Sequence, residues 1–267
     1  MQLADKVVVV TGGGNGIGQQ IVLALLAKDA IVAAADINST ALDATWTAAG
    51  AQASRLSLHT GDISSRESVQ QLATTVVEQH GQVDAIVNNA GVIHPFASFH
   101  RLDDAAIDRV LNVNLHGTIH MIRAFMPLLL ARPEAHIVNV SSMGGLFAFP
   151  KQTLYGASKA AVKLLSEGLY AELRRSNIGV SVVYPGAVKT NISHNCDAHP
   201  EKMEKFERFH PGISPAKVAR RIVRAMEKNQ FRVVIGLDSR FLGLLYRLLP
   251  TTTIRMMGRL IQLVMPD

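Results

Sequence analysis

Short apolar runs that alternate with longer helical patterns constrain the fold of this chain more than any other feature of its sequence. Seven such runs occur, beginning with KVVVVT, AIVAAAD and SRLSLHT and ending with FRVVIGLD. Parallel neighbouring strands need crossover helices between them, and strands buried on both faces read as continuous apolar runs. The alternation therefore predicts an α/β fold, with a doubly wound, seven-stranded parallel sheet covered by helices on both faces.

The composition excludes several classes of protein. Hydrophobic residues make up 48% and charged residues 18% of the chain, which is typical of a globular protein. The formal net charge is +6, but the basic residues are scattered outside the last quarter and only 5% of residues are aromatic, so we expect no nucleic-acid partner. Cys196 is the single cysteine, which excludes an intrachain disulfide. No apolar run reaches about 18 residues, and we expect a cytoplasmic protein.

A glycine-rich turn with the sequence TGGGNGIG follows the first apolar run. Gly12, Gly16 and Gly18 remove side chains between a predicted strand and a predicted helix. Bare backbone lets N–H groups approach a pyrophosphate, and the start of the helix adds a partial positive charge. Glycines also serve strained turns that bind nothing, so the pattern alone leaves both interpretations open.

The second apolar run ends at Asp36, 18 residues after Gly18. A carboxylate about 20 residues beyond such a turn is placed to hydrogen-bond a ribose diol. It would repel a 2′-phosphate by roughly 1 to 4 kcal/mol at contact distance, and neither Asn15 nor Ile37 offers a compensating cation. The sequence therefore predicts NAD in preference to NADP, the alternative being that Asp36 only caps the next helix.

Short polar or bare residues also follow the third and fourth runs. Asp62 lies in TGDIS, and the motif NNAG spans Asn88 to Gly91. An adenine pocket needs hydrogen bonds to the ring edge and close backbone approach, which these residue types allow. Ordinary turns use the same residues, so an adenine pocket and plain turn chemistry both remain open.

Tyr155 and Lys159 lie four residues apart at the start of a long helical pattern, so they share one helix face. A lysine ammonium beside the phenol, with the helix N-terminus, is expected to lower the pKa of Tyr155 from about 10 and prepare a general base. Ser142 follows the fifth apolar run, where its hydroxyl can hold a substrate oxygen. Asn114 interrupts a helical pattern with a residue of mediocre helix propensity.

Taken together, these motifs resemble the classical short-chain dehydrogenase/reductase family. The matching segments follow the family's order and span residues 3 to about 236. They are TGGGNGIG, the aspartate of GDIS, NNAG, Asn114, the serine of IVNVSS, YGASK and the PG of VVYPGAVKT. The resemblance implies a Rossmann fold and hydride transfer with a nicotinamide cofactor.

The resemblance also implies a role for each matching residue. Tyr155 would exchange the proton of the substrate oxygen, Ser142 would hydrogen-bond that oxygen, and Lys159 would hold the nicotinamide ribose. Asn114 would position a water that links Lys159 to solvent. The residues expected to contact the cofactor are Gly12, Asn15, Gly16, Ile17, Gly18, Asp36, Asp62, Ile63, Asn88, Ala90, Gly91, Tyr155, Lys159, Pro185, Gly186, Val188 and Thr190.

The segments after the fourth, fifth and sixth runs are expected to shape the substrate pocket. Their large apolar side chains predict a lipophilic alcohol or ketone as substrate. The candidate pocket residues are Phe96, Met143, Phe147, Phe149 and Phe206. Residues 191–214 are expected to form a lid, or else to include a plain surface helix. His194, Cys196 and His199 lie there without a second ligand pair, so no metal site is predicted.

The chain departs from the family pattern after the seventh run. We divide it there into a Rossmann domain over residues 1–238 and an apolar, basic C-terminal extension over residues 239–267. Two short helices broken near Pro250 are predicted for the extension. It could lie in a membrane interface as a peripheral contact, pack against another subunit of a homo-oligomer (dimer or tetramer), or flank the substrate entrance.

The function predicted from the sequence is an oxidoreductase that transfers a hydride between NAD(H) and a lipophilic secondary alcohol or ketone. Two alternatives remain, a non-catalytic NAD-binding regulatory or scaffold protein and an NADP-dependent carbonyl reductase. The full set of Ser142, Tyr155 and Lys159 favours an enzyme over the non-catalytic alternative.

Overall fold

The computed structural model describes residues 1–189 and 212–264 of the chain. In these ranges seven parallel strands form one sheet in the order β3-β2-β1-β4-β5-β6-β7, which confirms the predicted sheet. The strands are β1 (Val7–Thr11), β2 (Ile31–Asp36), β3 (Leu56–Thr60), β4 (Ala85–Asn88), β5 (Ala135–Val140), β6 (Ile178–Pro185) and β7 (Arg232–Ile235).

Nine α-helices connect or follow the strands in the described part of the chain. Polar side chains cap several of them at the N-terminus: Asn38 and Ser65, for example, each accept a backbone N–H three residues ahead. The helices are α1 (Gly16–Leu26), α2 (Ser39–Ala49), α3 (Arg66–His80), α4 (Asp104–Leu111), α5 (Gly117–Leu130), α6 (Thr153–Glu172), α7 (Pro215–Glu227), α8 (Leu237–Leu248) and α9 (Pro250–Val264).

The core lies on both faces of the sheet, as continuous apolar strands require. In β1, Val8 and Val10 face a cluster that includes residues of α1 and α7. Val7 and Val9 face the opposite cluster, which includes residues of α3 and α5. All four valines are buried. This alternation confirms the doubly wound architecture.

The strand order reverses at β1, which pairs with β2 on one side and with β4 on the other. In sheets of this kind, ligands bind beyond the carboxyl ends of the strands at such a reversal. The turns after β1, β2, β4, β5 and β6 therefore meet at one edge of the sheet.

The C-terminal extension folds back onto the sheet domain as two helices. α8 begins two residues before the proposed boundary, and Pro250 is the first residue of α9, which confirms the predicted break. The hydroxyl of Ser239 donates to the carbonyl of Tyr184 at 3.2 Å, and Met257 and Ile261 of α9 are buried. None of the described helices combines the length and apolarity needed to cross a membrane.

Candidate active site

The turn from β1 into α1 keeps its backbone bare. Gly12 and Gly16 have φ values of +67° and +55°, a region that residues with a side chain rarely adopt. A Cβ atom on Gly18 would overlap the carbonyl oxygen of Gly12. Asn15 is the N-cap of α1, but its side chain makes no capping hydrogen bond. The N–H groups of Ile17 and its neighbours in the first turn can therefore bind an anion.

Two residues that the sequence analysis did not single out fix this turn to the end of β4. The hydroxyl of Thr11 accepts from the N–H groups of Asn89 at 3.0 Å and Ala90 at 3.1 Å. The side-chain amide of Asn89 donates to the carbonyl of Thr11 at 3.0 Å. Both residues lie inside the quoted motifs, Thr11 directly before the first glycine and Asn89 as the second asparagine of NNAG.

Asp36, at the end of β2, contacts the glycine turn directly. Its Oδ2 accepts from the N–H of Gly14 at 2.9 Å and its Oδ1 from the N–H of Asn38 at 3.0 Å. Asn38 is the N-cap of α2, and its Oδ1 accepts from the N–H of Ala41 at 3.0 Å. Asn38 therefore does the capping that was the alternative role for Asp36. Each carboxylate oxygen of Asp36 keeps a second acceptor site for a ribose hydroxyl.

The residues beside Asp36 add no positive charge. Ile37 is 68% exposed, and Asn15 is exposed on the glycine turn. The edge of the sheet at this point therefore presents a carboxylate, an apolar side chain and a neutral amide.

Asp62 and Ile63 lie on the turn after β3. Oδ1 of Asp62 accepts from the N–H of Ser64 at 2.8 Å, and its other oxygen has no partner among the described residues. Ile63 packs against the first residue of α5, where a Cβ on Gly117 would lie 2.7 Å from its Cδ1. This turn can therefore offer one carboxylate oxygen and an apolar surface to a ligand.

Asn88 and Gly91, at the two ends of NNAG, face different surroundings. Asn88 is buried, and its amide donates to Oδ1 of Asn139 at 2.8 Å. A contact from Asn88 to a cofactor would therefore come from its backbone. A Cβ on Gly91 would lie 3.1 Å from Nζ of Lys159 and 3.2 Å from Oδ1 of Asn114. The missing side chain at Gly91 leaves room around the lysine ammonium.

Ser142 and Tyr155 meet beyond the end of β5. Oγ of Ser142 accepts from the N–H of Gly144 at 3.1 Å, which fixes the serine at the start of a short 3₁₀ turn. Tyr155 lies in the first turn of α6. A Cβ on Gly144 would lie 3.6 Å from Oγ of Ser142 and 3.7 Å from Cε1 of Tyr155, so the two side chains border the same small space. Burial raises the pKa of Tyr155, and the Ser142 hydroxyl lowers it by less. Tyr155 therefore holds its proton at neutral pH in the protein by itself.

Lys159 lies one turn further along α6 and is only 4% exposed. Its Nζ donates to the carbonyl of Val140 at 3.0 Å and lies 6.0 Å from the centroid of the Tyr155 ring. Burial lowers the pKa of Lys159 to about 8. The expectation of a lowered pKa for Tyr155 is therefore wrong for the protein by itself, because burial of the phenol raises it.

Asn114 lies in a π-helical turn, Asn112–His116, that separates α4 from α5 and confirms the predicted interruption. π turns inside helices are frequent at functional sites. The Asn114 side chain is fully buried and pairs with both backbone groups of Val92, accepting from the N–H at 2.8 Å and donating to the carbonyl at 2.9 Å. It also donates to the hydroxyl of Ser158 at 3.0 Å. Asn114 therefore joins the segment after β4 to α6, between Tyr155 and Lys159.

The start of α8 braces the loop after β6, which begins at Gly186. Oδ2 of Asp238 accepts from the N–H of Ala187 at 2.7 Å. A Cβ on Gly186 would overlap this carboxylate, which explains the glycine at that position. No local sequence pattern relates Asp238 to Ala187, since 51 residues separate them.

Val188 presents its own backbone groups to the same edge. The N–H of Ile213 donates to the carbonyl of Ala187 at 2.8 Å, and the N–H of Lys189 donates to the carbonyl of Ile213 at 3.0 Å. These two hydrogen bonds use the carbonyl of Ala187 and the N–H of Lys189. The N–H and carbonyl of Val188 itself therefore point to the side of the segment that faces away from Ile213. Thr190, the next predicted contact, lies outside the described residues.

Apolar side chains surround Tyr155 on the substrate side. Phe96 and Tyr155 both pack against the buried Ile93. Phe147 is buried, and its ring centroid lies 6.5 Å from that of Tyr246 in α8. Met143 and Phe149 are half-buried in the segment after Ser142. The last candidate, Phe206, and most of the proposed lid lie outside the described residues, as do His194, Cys196 and His199.

His94 and Gln152 form a buried polar pair that the sequence analysis did not place in the site. The amide of Gln152 donates to the carbonyl of His94 at 2.8 Å. Burial lowers the pKa of His94, so its ring is neutral at pH 7. Nε2 of His94 and Oε1 of Gln152 have no partner among the described residues. The position of Gln152, three residues before Tyr155, is the one sequence signal that could have found this pair.

The fold and the grouping of Ser142, Tyr155 and Lys159 define an oxidoreductase with a nucleotide-binding Rossmann domain. Residues 6–201 match the family model of the short chain dehydrogenases, and the chain belongs to this family.

Known proteins are similar to this chain over most of its length. SadH of Mycobacterium tuberculosis, provisionally classed as an oxidoreductase, is 33% identical over 260 residues, which cover 95% of this chain and 94% of SadH. The 3-oxoacyl-[acyl-carrier-protein] reductase FabG of Thermotoga maritima is 33% identical over 202 residues, 76% of this chain and 80% of FabG. A short-chain dehydrogenase/reductase from Burkholderia phymatum, solved in complex with NAD, superimposes with a TM-score of 0.80 at 28% identity, covering 88% of this chain and 90% of that one.

The residues at the strand edge fit a nicotinamide dinucleotide. Gly12 and Gly18 form a cradle that a Cβ atom would fill, which suits a pyrophosphate. Asp36 offers a carboxylate for a ribose, and Lys159 offers a buried ammonium close to the bare backbone of Gly91. Along the carboxyl-terminal edge of the sheet, Asp36 lies at the end of β2, the glycine turn follows β1, and Gly91 with Lys159 lies beyond β4 and β5.

Proposed function

We propose that the protein is an NAD-dependent oxidoreductase that interconverts a lipophilic secondary alcohol and its ketone. The observation that carries this proposal is the grouping of the Ser142 hydroxyl and the Tyr155 ring around Gly144, with Lys159 buried one helical turn away. A proton-transfer group, an oxygen-binding hydroxyl and a cation thus lie beside the edge that carries the glycine turn.

Tyr155 is the general acid and base of the proposed reaction. When a ketone is reduced, the phenol of Tyr155 donates a proton to the substrate oxygen. The hydroxyl of Ser142 donates a hydrogen bond to the same oxygen. When an alcohol is oxidised, the phenolate of Tyr155 takes the hydroxyl proton. Bound nicotinamide supplies the hydride donor or acceptor. Because burial raises the pKa of Tyr155, the protein by itself favours the proton-donating form.

Lys159 holds the ribose next to the nicotinamide in this proposal. Its ammonium has three donors, of which the carbonyl of Val140 accepts one. The remaining donors serve the ribose hydroxyls and a water beside Asn114 that returns the proton to solvent. Gly91 leaves the space that these partners need.

The preference for NAD rests on Asp36. Its two oxygens are fixed by the N–H groups of Gly14 and Asn38, so the carboxylate cannot turn away from an incoming 2′-phosphate without loss of both bonds. Ile37 and Asn15 supply no charge that would balance the phosphate. The remaining predicted cofactor contacts at the turns after β1, β3, β4 and β6 belong to the same proposal.

The side chains near Tyr155 support a lipophilic substrate. Phe96 packs against Ile93, as Tyr155 does, and Phe147 and Met143 belong to the segment after Ser142. The similarity to FabG adds 3-oxoacyl thioesters to the ketones worth testing, since FabG is named for that reaction.

The test is a spectrophotometric assay of NAD(H) turnover with a panel of steroid, terpenoid, aryl and acyl secondary alcohols and their ketones. We expect at least one lipophilic pair to be turned over with NAD(H), and Tyr155→Phe to lower kcat by about 10²- to 10⁴-fold because it removes the transferable proton. Tyr170→Phe is the matched control, since Tyr170 is an exposed tyrosine on the same helix, α6.

Two results would count against this proposal. Full activity of Tyr155→Phe would exclude the phenol as acid and base. Binding of NAD by the wild-type protein, measured by calorimetry, without turnover of any substrate in the panel would favour the non-catalytic regulatory or scaffold alternative.

A further inference from the structure

Exposed apolar side chains are concentrated in the two C-terminal helices. Of the fifteen large hydrophobic side chains that are exposed in the described part of the chain, nine lie between Leu237 and Leu263. Soluble monomers rarely expose contiguous apolar surface of this kind without a binding role.

In α8 the exposed apolar residues form one stripe. Leu237, Phe241, Leu244 and Leu248 are 57% to 83% exposed and follow one another at intervals of four, three and four residues. This spacing places them on one face of a helix. The opposite face is already used, since it carries Ser239, which is fully buried. The stripe is therefore a second apolar face and not the face that packs on the core.

In α9 the same arrangement recurs. Met256, Leu260 and Leu263 are exposed at intervals of four and three residues. Met257 and Ile261, four residues apart, are buried against the rest of the protein. Each C-terminal helix therefore packs through one face and exposes a second apolar stripe.

The charges beside these stripes are of one sign. Arg240, Arg247, Arg255 and Arg259 are all exposed, and no ion pair joins any of them to a described residue. Asp238 is the single acidic residue from 237 to 264, and its carboxylate binds the N–H of Ala187. Helical geometry places Arg240 and Arg247 about 70° to 90° from the centre of the α8 stripe, along one margin.

We propose that α8 and α9 dock the protein on the surface of an anionic lipid bilayer. The leucine and phenylalanine side chains enter the boundary between headgroups and acyl chains, and the arginines contact lipid phosphates. Both helices are too short and too polar to cross the bilayer, so they lie in its surface.

The charges favour a lipid surface over a second copy of this chain. Two copies that met through the same face would bring Arg240 and Arg247 of one copy towards those of the other, with no acidic residue of α8 or α9 left to balance them. An anionic membrane offers the opposite charge along the whole face.

Docking in this way places the bilayer beside the substrate side of the site. Through its inner face, α8 contacts the segment after Ser142, where Tyr246 lies against Phe147 and a Cβ on Gly243 would lie 3.3 Å from Leu146. The exposed stripe is therefore about one helix diameter, roughly 10 Å, from that segment.

The test is flotation of the full chain with vesicles of phosphatidylcholine alone and of phosphatidylcholine with roughly 30 mol% phosphatidylglycerol. We expect the wild type to float with the anionic vesicles, less at high salt, and to remain unbound with phosphatidylcholine alone. Arg240→Glu with Arg247→Glu changes the charge by four units and should weaken the partition coefficient by about 100-fold, at roughly threefold for each unit once salt screening is included. Phe241→Ser with Leu244→Ser should weaken it by roughly 20- to 400-fold, because more than half of each apolar side chain is exposed and available for burial.

The matched control is Arg220→Glu with Arg224→Glu, an equal change of charge on exposed positions of α7. This control should float like the wild type, and thermal unfolding should show that every variant is folded. The proposal is overturned if the wild type does not float, if the α7 variant loses as much binding as the α8 variant, or if the α8 stripe instead mediates self-association without vesicles. Loss of flotation confined to the α8 variants supports it.

Discussion

Replacing Asp36 by asparagine separates the two roles of this carboxylate. Asp36 fixes the glycine turn through the N–H of Gly14 at 2.9 Å and its own turn through the N–H of Asn38 at 3.0 Å. An asparagine keeps one acceptor oxygen for the N–H of Gly14 but carries no charge. The variant therefore removes the repulsion of a 2′-phosphate while it largely preserves the shape of the turn.

The size of the effect follows from Coulomb's law. Two unit charges about 4 Å apart repel by about 1 kcal/mol in water and by about 4 kcal/mol at the effective dielectric of a protein surface. Relief of this repulsion corresponds to a gain of roughly 5- to 1000-fold in kcat/KM with NADP. With NAD the efficiency should fall about fivefold, because a neutral amide is a weaker acceptor for the ribose hydroxyls than a carboxylate. The ratio of NADP to NAD efficiency should therefore rise by at least about 20-fold.

The assay is steady-state kinetics with both cofactors and one substrate identified by the panel. Asp43→Asn is the matched control, because it removes the same charge from an exposed position of α2 and should leave the cofactor ratio unchanged. A ratio that stays within twofold of the wild type in Asp36→Asn would show that Asp36 does not face the ribose. Equal losses with both cofactors would show that it acts only through the glycine turn.

Two further predictions concern other parts of the chain. Asp238→Asn weakens the acceptor for the N–H of Ala187, so it should raise the KM for NAD(H) about 3- to 10-fold with little change in Tm; an unchanged KM would contradict the bracing role. Burial lowers the pKa of His136 to about 3, below its value in the unfolded chain. The unfolded state therefore binds more protons, and stability should fall as the pH drops from about 6.5 towards 3, by at most about 1.4 kcal/mol per pH unit from this group. His136→Gln should flatten this slope in urea denaturation, and an equal slope would contradict it.

Much of the fold could be predicted because its signals are local. A buried parallel strand needs consecutive apolar residues, and β1 and β2 appear in the sequence with almost the limits that the structure gives them. Pro250 marks the break between α8 and α9 because proline is favoured in the first turn of a helix and disfavoured in its interior. The spacing of Tyr155 and Lys159 likewise places both on one face of α6 whatever surrounds them.

The parts of the site that could not be predicted depend on contacts between distant segments. The direction of the pKa shift of Tyr155 is set by burial. This burial includes packing against Ile93, which lies 62 residues earlier in the chain and has no signature in YGASK. Asp36 was placed correctly at the end of a strand, but its bond to Gly14 depends on how β1 and β2 align. The contact of Asp238 with Ala187 joins two loops that a linear pattern cannot relate.

The C-terminal extension shows why alternatives drawn from one sequence pattern need not exclude one another. From the sequence, a membrane interface and a position beside the substrate entrance are alternative interpretations of the same apolar, basic residues. A linear pattern does not show which face of a helix is covered by the rest of the protein. In the structure Tyr246 and Gly243 of α8 lie against the segment after Ser142, while Phe241 and Leu244 point outward. One helix can therefore line the substrate side with its inner face and contact a lipid surface with its outer face. A lipophilic substrate that partitions into a bilayer would then reach Tyr155 without a long path through water.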